Sequence, residues 1–167
     1  MGSMLKIREA NNSDLMEILD IYNQGIIDKI ATLEVEKKDI IYMTKWFTDR
    51  SEKYKILVAE LNSQVVEWAA LNPYSHRCAY QGVADLSIYI RRNQRGKGIG
   101  KALLSNIEKE AVKSQIHKIV LFTFPFNELG QGLYKSMGYR EVGLFKEQGK
   151  IDNGYVDVMA MENILSN

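Results

Sequence analysis

The sequence predicts an α+β fold, one domain built around a mixed sheet. Three observations carry that expectation. Apolar runs of strand length come in groups, with stretches of helical period set among them, in the order β-α-α-β-β-β-α-β-α-β-β. Strands with helices interspersed in this way argue one sheet with one core. The 167 residues and 46% hydrophobic content fit a single unit on the usual size of about 150 residues per domain. Finally, a glycine-rich turn from Gly96 to Gly100 joins an apolar strand directly to a helix.

Each element has a local reason. Leu5, Ile7 and Ala10 mark a short opening strand, with Lys6 and Arg8 alternating outward. Asn11-Asn12-Ser13-Asp14 starts a helix with Ser13 as the expected N-cap. Leu15, Ile18, Leu19, Tyr22 and Ile26 then trace its apolar stripe. Asp28 to Glu34 breaks the period and reads as a loop, and Asp39 can cap a second helix carrying Ile40, Met43, Trp46 and Phe47. Ile56 to Glu60 and Val65 to Leu71 form a hairpin across a short turn. Pro73 is expected to end that ladder. Ala84 to Ile90 has strand density, and after the glycines Ile99, Leu103, Ile107 and Ala111 recur on one helix face. Lys118 to Phe124 is a buried strand ended by Pro125. Asn127 to Ser136 is a short helix stopped by Gly138. Tyr139 to Lys146 and Tyr155 to Asn163 close the sheet, with Gly149 to Gly154 turning between them.

The glycine turn carries the first chemical signal. First-turn N–H groups of a helix lack internal partners, and the macrodipole adds positive charge there. Glycines let the backbone approach an anion closely; Arg95, Lys97 and Lys101 add formal charge. The physical product is a pyrophosphate cradle. No Gly-Lys-Ser/Thr closes it, so it is not a P-loop, and the spacing does not fit the dinucleotide fingerprint.

Composition bounds the rest. The net charge of +1 comes from 22 basic and 21 acidic residues, which gives no global pull toward nucleic acid or membrane. The basic cluster Arg91, Arg92, Arg95, Lys97 and Lys101 stays local to the loop. Cys78 is the single cysteine, so no intramolecular disulfide is possible, and with only His76 and His117 a metal site is not expected. No apolar run reaches membrane-spanning length, so a cytoplasmic protein is the expectation. Met1-Gly2-Ser3 reads as an expression scar, leaving 4–167 as the domain.

Arg-x-x-Gly-x-Gly, here Arg95, Gly98 and Gly100, resembles the coenzyme A pyrophosphate loop of the GNAT superfamily of N-acetyltransferases. The resemblance extends along the chain. Tyr22 to Glu34 and Gly154 to Met159 are similar to segments of its phosphinothricin and methionine sulfoximine acetyltransferase subfamily; Asn127 to Tyr134 and Met137 to Gly143 are similar to the superfamily's second half. This likeness implies an αβα layered domain whose mostly antiparallel sheet is splayed at the coenzyme site. It implies acetyl-CoA as coenzyme, held by the backbone of Leu86, Ser87 and Ile88, by Arg95, Gly96, Lys97, Gly98, Ile99, Gly100 and Lys101, and by Asn127 and Tyr134. Asp85 stands where the subfamily has its glutamate base. Asp is one methylene shorter, which favours a relay through water. Tyr134 matches the phenol that protonates the leaving thiolate.

The subfamily's Arg-x-Arg carboxylate clamp becomes Ser75 and Arg77 here, one matching and one departing. Thr32 and Glu34 match its substrate loop. Glu67 departs from the glycine expected before Trp68. Together these imply an acetyl-CoA-dependent N-acetyltransferase acting directly on the amine of a small amino acid or amino-acid-like compound, expected to be a homodimer. The alternatives are a protein or peptide amine acetyltransferase and a non-catalytic acyl-CoA-binding sensor.

Overall fold

The computed structural model describes residues 4–165, so the three residues read as an expression scar lie outside the described residues. The elements are β1 (Leu5–Glu9), α1 (Leu15–Asp28), α2 (Ile40–Thr48), β2 (Ile56–Leu61), β3 (Gln64–Pro73), β4 (Val83–Ile90), α3 (Ile99–Lys113), β5 (Lys118–Thr123), α4 (Glu128–Ser136), β6 (Arg140–Ile151) and β7 (Gly154–Ile164). They follow the order expected from the sequence.

One sheet runs β1-β2-β3-β4-β5-β7-β6. Every pairing is antiparallel except β4 with β5. That parallel ladder holds only Val83 to Asp85 against Lys118 to Val120. Beyond it β4 continues to Ile90 and β5 to Thr123 without pairing to each other. The sheet therefore splits open just past Asp85, in its middle.

Alternation along the strands gives the sheet two apolar faces. Val58, Trp68 and Ala70 pack with Ile18, Ile21 and Met43 of α1 and α2. On the other face Ala69, Leu71, Ala84 and Leu86 pack with Leu103, Leu104 and Ile107 of α3 and Tyr134 of α4. The layers are thus αβα. Among the described residues no helix is long and apolar enough to cross a membrane.

Three local expectations are corrected. The cap before α1 is Asn11, not Ser13: its side chain accepts from Ser13 N at 2.9 Å, and Asp14 accepts from Asn11 N at 2.8 Å. This box opens a 3-10 turn at Asn12–Asp14 ahead of the α-helix. Asp14 is buried there because Arg8 grips both its oxygens, at 2.7 and 2.9 Å. β3 runs on past Leu71 through Asn72, and Pro73 ends it as expected. It is the last residue of β3, opposite Ala84, where the missing N–H is not needed. The last hairpin is also tighter than expected. β6 reaches Ile151, only Asp152 and Asn153 turn, and the register slips between Phe145 and Gly149. Asp157 secures that bulge by accepting from Glu147 N at 2.7 Å and Lys146 Nζ at 3.1 Å. Gly149 serves close approach, since a Cβ there would stand 2.5 Å from Leu33 Cδ2 in the loop after α1.

Candidate active site

The split in the sheet is flanked by the glycine turn. Gly96 and Gly98 have φ of +78° and +81°, left-handed values that side chains resist. A Cβ at either would meet nothing within 4 Å, so it is conformation, not space, that selects glycine. Gly100 is the reverse case. Its Cβ would come within 2.9 Å of Leu133 Cδ2 and 3.2 Å of Glu67 Oε1, so α3 and α4 lie close there. Gly98 begins α3 with no side-chain cap, leaving first-turn N–H groups to seek another partner. These glycines, Arg95 and Lys101 line one end of a cavity of about 530 Å3; Ile88, Asn127 and Tyr134 line the other. Arg95 Nη1 donates to Asp28 at 2.7 Å, and Arg92 holds the same carboxylate at 2.7 and 2.8 Å. Arg92 first, then Arg95, keeps the Asp28 carboxyl below the usual range.

A second, smaller cavity of about 230 Å3 lies on the α1–α2 side. Asp85, Ser87 and Tyr89 line it from alternate positions of β4, with Thr32 and Thr123 across from them. Tyr89, Asn127 and Tyr134 line both cavities. Burial pushes the Asp85 carboxyl from 3.8 up to about 6, against a hydrogen bond from the Leu86 backbone. Tyr134 is buried, and its phenol is pushed well above its ordinary value, by burial first and the Glu67 charge second. Asn127 caps α4 by accepting from Gly130 N at 3.1 Å and donates to Thr123 Oγ1 at 3.2 Å. Asn72 Nδ2 donates to Ser87 Oγ at 3.0 Å and to the Asp85 carbonyl at 3.4 Å, tying β3 to the lip of the split.

Residues 15–139 match the family described as "Acetyltransferase (GNAT) family". The chain belongs to the GNAT family. YwnH of Bacillus subtilis (strain 168) is 30% identical over 163 residues, covering 97% of this chain and 100% of that protein. An L-methionine sulfoximine/L-methionine sulfone acetyltransferase of Pseudomonas aeruginosa is 28% identical over 158 residues, 93% of this chain and 92% of its own. A GNAT phosphinothricin acetyltransferase from Sinorhizobium meliloti, solved in complex with AcCoA, superposes with a TM-score of 0.91 at 26% identity. It covers 96% of this chain and 88% of that one. This GNAT protein is accordingly an acetyltransferase.

Its residues fit acetyl-CoA. Past Asp85, β4 turns backbone groups toward β5 with no ladder partner, which suits an arm bearing amides. The 530 Å3 cavity runs from there to the open glycine turn.

The sequence-selected residues of this GNAT enzyme divide into groups. Asp85, Leu86, Ser87, Ile88, Arg95, Gly96, Gly98, Gly100, Lys101, Asn127, Tyr134 and Thr32 converge on the two cavities. Ile99 and Lys97 do not. The Ile99 side chain is a core residue packed with Ala59 and Val66, leaving only its backbone near the turn, and Lys97 is exposed. Glu34 is exposed and paired with Lys38 at 2.9 Å, although its N–H donates to Thr32 Oγ1 at 3.1 Å. Arg77 is exposed in the loop before β4, lines neither cavity and has no ion-pair partner among the described residues.

Two lining residues are not evident from the sequence motifs. Tyr89 packs in tilted geometry against Tyr22 and Trp68, with ring centroids 5.0 and 4.9 Å away. Burial pushes its phenol up to about 12, with Thr32 opposing. Period-two spacing from Asp85 and Ser87 was its legible signal. Glu67, which by sequence is only a departure from pattern, lines the larger cavity.

Proposed function

We propose that this GNAT enzyme acetylates the amine of a small amino acid or amino-acid-like compound, of the phosphinothricin or methionine sulfoximine type, within a ternary complex. The observation that carries this reading is the size and lining of the cavity beside Asp85. At about 230 Å3 it falls below the roughly 300–1,000 Å3 of drug-sized sites, and Asp85, Ser87, Thr32, Tyr89 and Thr123 give it polar walls. The names of the relatives point to the same substrate class.

Bound in the larger cavity, acetyl-CoA supplies an activated acetyl carbonyl and a thiol leaving group. The α3 N-terminus, with Gly96 to Lys101, would hold its pyrophosphate, and Leu86, Ser87 and Ile88 would pair with its arm. Asp85 takes a proton from the incoming ammonium, directly or through water. A carboxylate near 6 is a better base at neutral pH than one near 3.8. Tyr134 keeps its proton throughout the working range and so can give it up on the thiol side. Thr32 orients the amine's neighbourhood, with the Glu34 backbone fixing its hydroxyl. Arg77, exposed before β4 and without an ion-pair partner among the described residues, reads a substrate carboxylate.

A homodimer fits the exposed apolar side chains Leu144 and Phe145 of edge strand β6 and Phe122 of β5. The test is thiol release from acetyl-CoA across free amino acids, phosphinothricin, methionine sulfoximine, polyamines and peptides. Turnover of peptides in preference to all small amines overturns the reading.

A further inference from the structure

Glu67 is the buried ionisable group for which neither packing nor the proposed chemistry has a use. It stands in the middle of β3, opposite Ala59 on one side and Ile90 on the other, so two ladders fix its backbone. It shares the α3 face with Ala69 and Leu71. Only 2% of the residue is exposed, and Oε2 is buried without a hydrogen-bond partner. No ion pair reaches it among the described residues. Its Oε1 looks onto the first turn of α3, 3.2 Å from where a Gly100 Cβ would be, and the side chain lines the 530 Å3 cavity.

An uncompensated carboxylate in such a place is strongly disfavoured. Burial pushes the carboxyl from 4.5 up to about 8, so at neutral pH it is an acid with an O–H to give. A buried donor without an acceptor, facing a cavity, is the signature of a ligand that supplies one. We propose that Glu67 is a coenzyme-binding residue that works as the neutral acid, donating its buried O–H to an acceptor oxygen of acetyl-CoA, so that coenzyme binding is coupled to a proton.

The charges around it set the direction of that coupling. Arg95 and Lys101 face the cavity from the turn and α3, Glu128 and Tyr134 from α4, and Tyr89 from β4; the β2 and β4 register partners, Ala59 and Ile90, are apolar. Both phenols are held too high to titrate between pH 7 and 9. Ionised Glu67 would meet the coenzyme's phosphates as a like charge and would have no hydrogen to donate. Binding therefore selects the protonated form and raises its pKa further. Affinity is then flat below the free-protein value and weakens about tenfold per pH unit above it.

The inference rests on acetyl-CoA occupying this cavity, and the experiment separates the two claims. Acetyl-CoA binding is measured by calorimetry from pH 6.5 to 9.5 on wild type, Glu67→Gln and Gly98→Val, with folding checked by circular dichroism. Wild type is expected to bind about tenfold more weakly at pH 9 than at pH 7. Glu67→Gln, which keeps a donor at every pH, is expected to bind with an affinity that stays flat from pH 7 to pH 9. At pH 8, wild type in buffers of different ionisation enthalpy should take up about half a proton per coenzyme. This readout holds even where the variant does not fold. A flat wild-type profile, no proton uptake at pH 8, or the same slope in Glu67→Gln overturns the proposal. Loss of binding in Gly98→Val alongside any of these leaves the site in place and removes only Glu67. Unchanged binding in Gly98→Val removes the site assignment, and the Glu67 role with it.

Discussion

Asp85→Asn is expected to make the protein more stable and the enzyme slower. Burial lifts this carboxyl from 3.8 to about 6, and roughly two pKa units correspond to about 3 kcal/mol of folding free energy. The folded state keeps a proton between about pH 4 and pH 6 that the unfolded chain has already released. Stability therefore falls as the pH rises through that window, and the whole cost is present above it. Asn has the same shape without the charge, but its amide must also be buried, so the net gain at pH 7 is about 1–3 kcal/mol. For a chain of this size that is a rise of about 2–10 °C in Tm. At pH 4 the two proteins should melt nearly together. In the reaction the same change removes the proton acceptor, and kcat should fall about 10- to 1000-fold, with the acid limb near pH 6 lost. Paired thermal melts at pH 4 and 7 and a pH profile of kcat measure both effects. An Asn variant that melts at or below wild type at pH 7 would show that the buried charge carries no such cost. One with wild-type kcat at pH 7 would show that the amine's proton leaves by another route.

Gly98→Val should abolish acetyl-CoA binding in a folded protein, because a β-branched residue resists the φ of +81° that sets the turn; calorimetry decides it. Tyr134→Phe should lower kcat by about 10- to 100-fold and leave coenzyme affinity nearly unchanged; equal kcat would assign the thiolate's proton to another donor. Arg77→Ala should raise KM about 10- to 100-fold for amines that carry a carboxylate and spare their decarboxylated analogues. An equal response from both would make Arg77 structural.

Order and type of the elements were legible because their apolar periods are long and clean, as in Ile99-Leu103-Ile107-Ala111 of α3. The glycine turn was legible for a related reason: conformation at Gly96 and Gly98 admits few other residues. Misreadings fell where a side chain far along the chain decides the local outcome. Ser13 and Asn11 are equally good caps by type, and the choice follows from Asp14 being drawn under Arg8. Gly149 read as a turn residue because Leu33, which packs over it, is more than a hundred positions away. Asp85 and Tyr134 could be named from pattern, but the lift in the Asp85 carboxyl depends on burial that only the packed sheet creates. Glu67 is the extreme case, since an acidic residue inside an apolar strand has no meaning until the cavity beside it is seen.

The brief ladder between β4 and β5 has a mechanical consequence. Among the described residues it is the one strand pairing that joins β1–β4 to β5–β7–β6 in the sheet, so the ladder across the seam is three residue pairs, extended only by the Gly82 carbonyl accepting from His117 N at 2.8 Å and Lys118 N at 3.2 Å. α3, which carries the glycine turn, packs mainly over β1, β2 and β3 and reaches the second half through Glu108, which accepts from Tyr139 Oη at 2.8 Å and Asn163 Nδ2 at 3.4 Å. α4 is fastened to the second half through Asn127 and Thr123, and through Gln131 reaching the Phe124 and Pro125 carbonyls. A ligand that touches both the turn and α4 stitches the halves together. At a hundred times its Kd such a ligand adds about 2.7 kcal/mol to the folded state. Amides of Leu86 to Ile88 and Leu121 to Thr123, which border the seam, should be those whose hydrogen exchange slows most when acetyl-CoA is added.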